Sequence, residues 1–302
     1  MGGQPLPLPV WDRKAGILTK EYMKDHPATY DSHPRRSLTQ WLESEPLYDW
    51  LLAAYQSTPW SARQIEPFIR QHHIEMSEFK PGPYRSFAEF FDREFLPAAR
   101  TFPEAPHEMG AFAEARYFGW QKVEADQRFP VKGHSLGAED ILGSAEQAAM
   151  FRGGPILLAR LSPMDYHHVH YPDDGKTLYE DWLGRRLWTV NWHALLNQEG
   201  ILFTNERQIH VLETANFGLL GFVEVGAMSV GRIAQTHPTD QVFARGAQKA
   251  VFKFGGSAIV VFGQAGKWSP SADILDHTQR GIETLVRLGE PVALASGASG
   301  NA

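Results

Sequence analysis

Beyond about residue 110 the chain is written in short apolar runs separated by turn signals, and that spacing restricts the fold more than any other feature. P-I-L-L-A-R-L (Pro155–Leu161), H-V-L-E-T (His210–Thr214) and G-F-V-E-V-G-A-M-S-V-G-R-I-A (Gly221–Ala234) have the length and composition of strands. No helical segment alternates regularly with them, which disfavours a doubly wound parallel sheet and predicts a mostly antiparallel one. The first hundred residues read differently. E-P-L-Y-D-W-L-L-A-A-Y (Glu45–Tyr55) places apolar residues at helical spacing. Ser61–Gln64 reads as a capping box opening a helix through Ile69, and Ser86 with Glu89 reads as a second helix start. The aromatics Phe87, Phe90, Phe91 and Phe95 that follow would form one stripe packed on the core. The expected class is therefore α+β, with an N-terminal helical region over residues 1–105 packed on a mostly antiparallel β core over 106–302. No repeat or linker divides it, so one domain is expected, closed by an amphipathic helix over Asp276–Leu288.

Composition narrows the chemistry. The chain of 302 residues holds no cysteine, which removes disulfides, zinc–thiolate sites and cysteine nucleophiles. Its net charge is 29 − 35 = −6, with no Lys/Arg-rich run, so no nucleic-acid partner is expected. No apolar run approaches the roughly 18–20 residues of a membrane-spanning helix. Neither a P-loop, a dinucleotide fingerprint nor a G-x-S-x-G elbow occurs.

Two stretches carry candidate chemistry. In K-F-G-G-S-A-I-V-V-F (Lys253–Phe262) two glycines and a serine interrupt an otherwise strand-like sequence. Glycine weakens a strand, so its presence asks for a backbone reason. Gly256 opens unusual torsions and leaves its own carbonyl uncovered. The Ser257 hydroxyl could attack that carbonyl and exchange the amide for an ester, given a base and oxyanion donors. The second stretch, M-D-Y-H-H-V-H-Y-P-D-D-G (Met164–Gly175), is the densest in histidine. His168 and His170 share one face of a strand and His167 takes the other. Three readings stay open on the residues alone: a His-x-His metal site with Asp165 or Asp173, a histidine base for a nucleophile elsewhere, or a polar loop.

Taken together, these stretches resemble the phosphatidylserine decarboxylase proenzymes, pyruvoyl-dependent enzymes that cut themselves at a Gly-Ser bond. The matching blocks begin with W-D-R-K-A-G (Trp11–Gly16), F-F-D-R-E-F-L-P-A-A-R (Phe90–Arg100), V-K-G-H-S-L (Val131–Leu136) and L-S-P-M-D-Y-H-H-V-H-Y-P-D-D-G (Leu161–Gly175). They continue through Val190-Asn191, N-E-R (Asn205–Arg207), V-E-V-G-A-M-S-V-G-R-I (Val223–Ile233) and F-K-F-G-G-S-A-I-V-V-F. The resemblance implies cleavage between Gly256 and Ser257 into a large chain, 1–256, and a small chain, 257–302, that stay associated. Ser257 would be the nucleophile and then the source of a covalent pyruvoyl group, the only cofactor, with no metal. His170 would be the cleavage base and His167 would assist decarboxylation. The pyruvoyl ketone would receive the amine of phosphatidylserine, giving phosphatidylethanolamine and CO2.

The sequence departs from the family pattern twice. F-A-E-A (Phe112–Ala115) stands where the family has P-A-D-G, so Glu114 takes the place of the aspartate that orients the histidine, with one methylene more. G-G-S-A replaces G-G-S-T, removing the hydroxyl after Ser257. A similar loss of A-D-G occurs in relatives that decarboxylate free aromatic amino acids. That activity and a non-cleaving, non-catalytic relative are the two alternatives. A lipid substrate implies a peripheral position on the cytoplasmic side of the cell membrane, with Leu47–Tyr55, Trp41, Trp50 and Trp60 as an interfacial face. A free amino acid implies the cytoplasm. A homodimer is left open.

Overall fold

The computed structural model describes residues 8–21, 46–122, 138–184, 202, 205–226, 232–253 and 257–297. Two strands come first, β1 (Leu8–Asp12) and β2 (Ile17–Glu21). Helices α1 (Pro46–Gln56), α2 (Ile65–His72) and α3 (Phe87–Phe91) follow, with 3-10 turns at Pro59–Gln64 and Met76–Glu78. Next come β3 (Glu108–Gly110), β4 (Ala115–Trp120), the short helices α4 (Ala138–Leu142) and α5 (Ala145–Met150), β5 (Ile156–Leu161), β6 (His168–His170) and β7 (Gly175–Leu183). The chain continues through β8 (Arg207–Thr214), β9 (Gly218–Gly226), β10 (Arg232–Gln235), β11 (Val242–Phe243), β12 (Gln248–Lys253) and β13 (Ser257–Gly263). It closes with β14 (Trp268–Pro270), α6 (Ala272–Gln279), β15 (Glu283–Val286) and β16 (Pro291–Ala295).

Ten strands form one sheet in the order β11-β7-β8-β9-β13-β5-β4-β15-β1-β2, antiparallel except where β1 pairs with β15. The α+β class holds. Three-stranded sheets β10-β12-β6 and β14-β16-β3 accompany it. β13 is interior, hydrogen-bonded to β9 on one side and β5 on the other. All seven of its residues are buried, which is why its sequence reads as a continuous apolar run instead of an alternation. Ile259 and Val261 face one apolar cluster with Leu161, Phe222, Val169, Ala250 and Phe252. Ala258, Val260 and Phe262 face another, with Leu158, Val223 and Val225. Because Val169, Ile233, Ala250 and Phe252 belong to the first cluster, the sheet β10-β12-β6 covers that face.

Four expectations are corrected. The first residues are not helical throughout, since β1 and β2 complete the edge of the large sheet, where the parallel β15 supplies backbone partners that sequence spacing cannot show. Ser61 is no helix cap. Its hydroxyl donates to the Gln56 carbonyl at 2.7 Å and accepts from Phe87 N–H at 2.9 Å, fastening the end of α1 to α3. The expected C-terminal helix stops at Gln279, where Gly281 (φ +69°) turns the chain into β15. Ser86 does cap α3, accepting from Glu89 N–H, but the helix ends at Phe91 and Phe95 stacks on Phe79 instead, centroids 4.5 Å apart.

Candidate active site

Ser257 is the first residue of β13, opposite Leu161 on β5 and Gly226 on β9. Two-residue alternation sends its side chain to the face of Ile259 and Val261, under the small sheet. It is fully buried, and its hydroxyl has no hydrogen-bond partner among the described residues. An unpaired buried hydroxyl costs about 1–3 kcal/mol, so a fold retains one where it has a use. Gly256, the other half of the expected cleavage bond, lies outside the described residues, as do 131–136 and 190–191. Ala258 points to the opposite face of the sheet, so the hydroxyl missing there is not on the side of Ser257.

The histidine strand lies above this face. Phe252 N–H donates to the His167 carbonyl at 2.9 Å, fixing His167 beside β12 five residues before Ser257. On the other path, Leu161 opposite Ser257 leads to His167 through residues 162–166. His167 is fully buried, its ring 4.2 Å from Phe91, and its Nδ1–H donates to the Asp165 carbonyl at 3.0 Å. That tautomer leaves the lone pair on Nε2. Alternation puts its ring on the Val169 side of β6, toward the large sheet and the face of Ser257.

His170 takes the other side. Its ring groups with those of Tyr166 and His168 on the opposite side of β6: Tyr166 stacks on His168 at 4.3 Å and lies 5.9 Å from His170. Nδ1–H donates to the Gly246 carbonyl at 2.8 Å, and the Tyr166 hydroxyl stands 3.4 Å from Nε2. Burial pushes His170 down to about 4, only partly opposed by the Gly246 carbonyl. The ring is therefore neutral near pH 7. Since the unfolded chain takes up its proton near 6.5, the folded state loses stability as pH falls from 6.5 to 4, by about 3 kcal/mol if the whole shift is realised. Thermal unfolding followed across that range should show Tm falling with acidity, and His170→Gln should remove part of the slope, the rest coming from His168 and His210, which burial also pushes down. An unchanged slope in the variant would mean that other groups carry it.

Glu114 does not meet His170. Its carboxylate is held by Arg100 through Nε at 2.5 Å and Nη2 at 2.9 Å, and it accepts from Leu288 N–H at 3.2 Å. Arg100 also binds Glu78 at 2.8 Å, and the two carboxylates raise its pKa despite burial. The backbone of F-A-E-A does reach the histidine strand, His170 N–H donating to the Phe112 carbonyl at 2.8 Å. A carbonyl of β-core residue Gly246 thus orients His170 where the family resemblance implied the Glu114 carboxylate.

Most other neighbours lie in stretches that carry the family resemblance, but sequence reasoning assigned them no part in the site beyond Asp165 as a candidate metal ligand. Asn205 donates to the Gly226 carbonyl at 2.8 Å, fixing the residue opposite Ser257. The Asp165 carboxylate accepts from Ser162 N–H at 2.6 Å and pairs with Arg116 at 2.5 Å, and Arg93 donates to the Met164 and Asp165 carbonyls at 2.6 and 3.1 Å. These contacts set the carbonyl that holds His167. Gly246 is 76 residues from His170 along the chain, so only the fold could pair them. Among the described residues, no group of three or more His, Asp or Glu side chains is arranged to hold a metal ion.

Fold and site define a protein whose core strand begins with a buried serine, placed under a sheet that carries histidines. The family model for phosphatidylserine decarboxylase matches residues 87–293, and the chain belongs to that family. It is similar to the phosphatidylserine decarboxylase proenzyme of Ruminiclostridium cellulolyticum, 31% identical over 83% of this chain and 84% of the relative. The proenzyme of Chlamydia pneumoniae is also 31% identical, over 86% of this chain and 87% of its own. That of Fusobacterium nucleatum is 30% identical over 92% and 95%.

Proposed function

We propose that the chain is a self-processing, pyruvoyl-dependent decarboxylase that converts phosphatidylserine to phosphatidylethanolamine and CO2. The observation that carries this reading is the fully buried hydroxyl of Ser257, without a hydrogen-bond partner among the described residues, at the first residue of a core strand on the face covered by the histidine sheet. In self-processing, the Ser257 oxygen attacks the Gly256 carbonyl while its proton passes to a histidine. The amide nitrogen leaves with a proton, and an ester joins the two parts. Loss of the Ser257 α-proton then expels the ester oxygen, freeing residues 1–256 as a carboxylate. Water replaces the nitrogen of the resulting dehydroalanine, ammonia departs, and residue 257 becomes pyruvoyl. That group supplies the electron sink for loss of CO2.

His167 is the base that its position favours for the attack, in place of His170. It lies on the side of β6 that faces the large sheet, and the Asp165 carbonyl holds its Nδ1–H so that Nε2 can accept the proton. His170, neutral and tied to the Gly246 carbonyl on the opposite side of β6, holds that strand in place and does not take the Ser257 proton. Glu114 acts on neither ring directly. With Arg100, Glu78 and Arg287 it ties large-chain residues to the small chain, through Leu288 N–H and the Arg287–Glu78 pair. The small chain would remain bound because β13 sits between β9 and β5, and β15 between β4 and β1.

A lipid substrate requires approach to a membrane. No helix among the described residues is long and apolar enough to cross one. Leu51, Tyr55 and Trp60 are exposed, Trp60 to 73%, and supply an interfacial face for peripheral binding. Trp41 lies outside the described residues, as do the side chains of Leu47 and Trp50.

Intact-mass measurement of the purified protein, followed by CO2 release from phosphatidylserine, free tryptophan and free serine, tests the reading. A pyruvoyl-blocked fragment of 46 residues (302 − 256) and preference for the lipid are expected. A persistently uncut chain would overturn the enzyme reading, and preference for a free amino acid would overturn the substrate.

A further inference from the structure

On the face of the sheet that Ser257 occupies lies a charged group that the chemistry above does not use. Lys249 and Glu224 are both 0% exposed. The Lys249 ammonium donates to both Glu224 oxygens at 3.0 and 2.9 Å, to Gln235 Oε1 at 3.0 Å and to His210 Nδ1 at 3.2 Å. Burial and the neighbouring ammonium push His210 down to about 2, so its ring is neutral and accepts. Gln235 Nε2 donates to Glu224 Oε2 at 2.7 Å. Around this group the core is apolar: Phe222, Ala250 and Phe252 are fully buried, and the ammonium is 5.4 Å from the Phe222 ring centroid. Well-packed apolar side chains often hold such a place at least as firmly as a buried ion pair. The charges therefore need a reason beyond holding the core together.

Their position supplies one. Gln248 pairs with His170 and Ala250 with Val169, so Lys249 is the extra residue of a β-bulge in β12. A bulge re-aims one side chain and shifts the phase of the strand beyond it, and a one-residue slip would send every later side chain to the wrong face. Beyond this bulge come Ala250–Lys253, then residues 254–256, then Ser257. The partner carboxylate is on β9 opposite Ile259, two residues from Gly226, which faces Ser257. The bulge is thus pinned to the same strand that flanks the nucleophile.

We infer that the Glu224–Lys249 pair is a positioning element for self-cleavage. It pins the bulge of β12 to β9 and thereby sets the register with which the strand before Ser257 presents the Gly256–Ser257 bond to the hydroxyl. This rests on the processing reading given above. A pinned register matters only while the bond exists, which separates this role from general packing.

The test follows maturation of newly translated wild-type, Lys249→Met and Glu224→Gln/Lys249→Met chains by intact mass, then measures decarboxylation per pyruvoyl-bearing small chain. Lys249→Met should mature about 100-fold more slowly, the loss expected for a displacement of about 1 Å at a reacting bond. Once matured, its kcat/KM per small chain should match wild type. The double variant leaves no uncompensated carboxylate, so it should fold where the single one does not, and it should mature as slowly. Equal losses in maturation and in kcat/KM would mean ordinary packing and overturn the inference. A wild-type chain that matures while both variants keep its rate would overturn this inference alone, whereas an uncut wild-type chain would overturn the processing reading with it.

Discussion

Ser257→Ala protein is expected to remain one chain of 302 residues, with no 46-residue fragment after prolonged incubation and no CO2 release above background. The expected effect is complete loss, because one residue serves two ends. In the processing proposed above its oxygen is the nucleophile that exchanges the amide for an ester, and its carbons become the pyruvoyl group. No neighbouring hydroxyl can substitute, since the next residue is Ala258 and its side chain enters the opposite apolar cluster. The substitution should also leave the fold intact. The hydroxyl makes no hydrogen bond among the described residues, so its removal leaves none of their donors or acceptors orphaned. Thermal unfolding of the variant should match or exceed that of an uncut wild-type precursor. Cleavage that persists at the same bond would show that Ser257 is not the nucleophile.

His167→Gln should slow maturation by about 10²- to 10⁴-fold, the usual contribution of a positioned general base. His170→Gln should slow it by less than about tenfold. The asymmetry follows from the side of β6 on which each ring lies. Val169 packs with Ile259 and Val261 of β13, and His167 leaves the strand on its side. His170 is turned to Tyr166 and to the Gly246 carbonyl. Maturation measured by intact mass at several pH values separates the two residues. The reverse order, with His170→Gln uncut and His167→Gln maturing normally, would return the base to His170 and require its ring to swing away from Gly246.

How much of this could be read in advance differs from residue to residue. Ser257 was legible as a candidate because glycine is poorly suited to strands, so Gly255-Gly256 asks for a backbone reason. The histidine cluster was legible as a cluster, and alternation correctly put His167 on a different face from His168 and His170. Which face looks at Ser257 was not legible, because it depends on which sheet covers β13. Glu114 shows the same limit. Its type and place in F-A-E-A suggested a partner for histidine, but Arg100 approaches from 14 residues away and takes the carboxylate with two hydrogen bonds. Lys249 gave no signal, since a single lysine in a strand ordinarily reads as a solvent-facing residue, and only the bulge turns it inward.

By itself the sequence determined the strand-rich antiparallel core, the Gly-Gly-Ser interruption at 255–257 and the supply of histidines, because these depend on local periodicity, backbone freedom and residue chemistry. The tertiary structure alone decided which histidine shares the serine's side, which carbonyl orients the other, where Glu114 spends its charge and why a lysine lies in the core. Those choices arise from cross-strand register and the packing of one sheet on another, which join residues from 14 to 76 positions apart through contacts that no local pattern encodes.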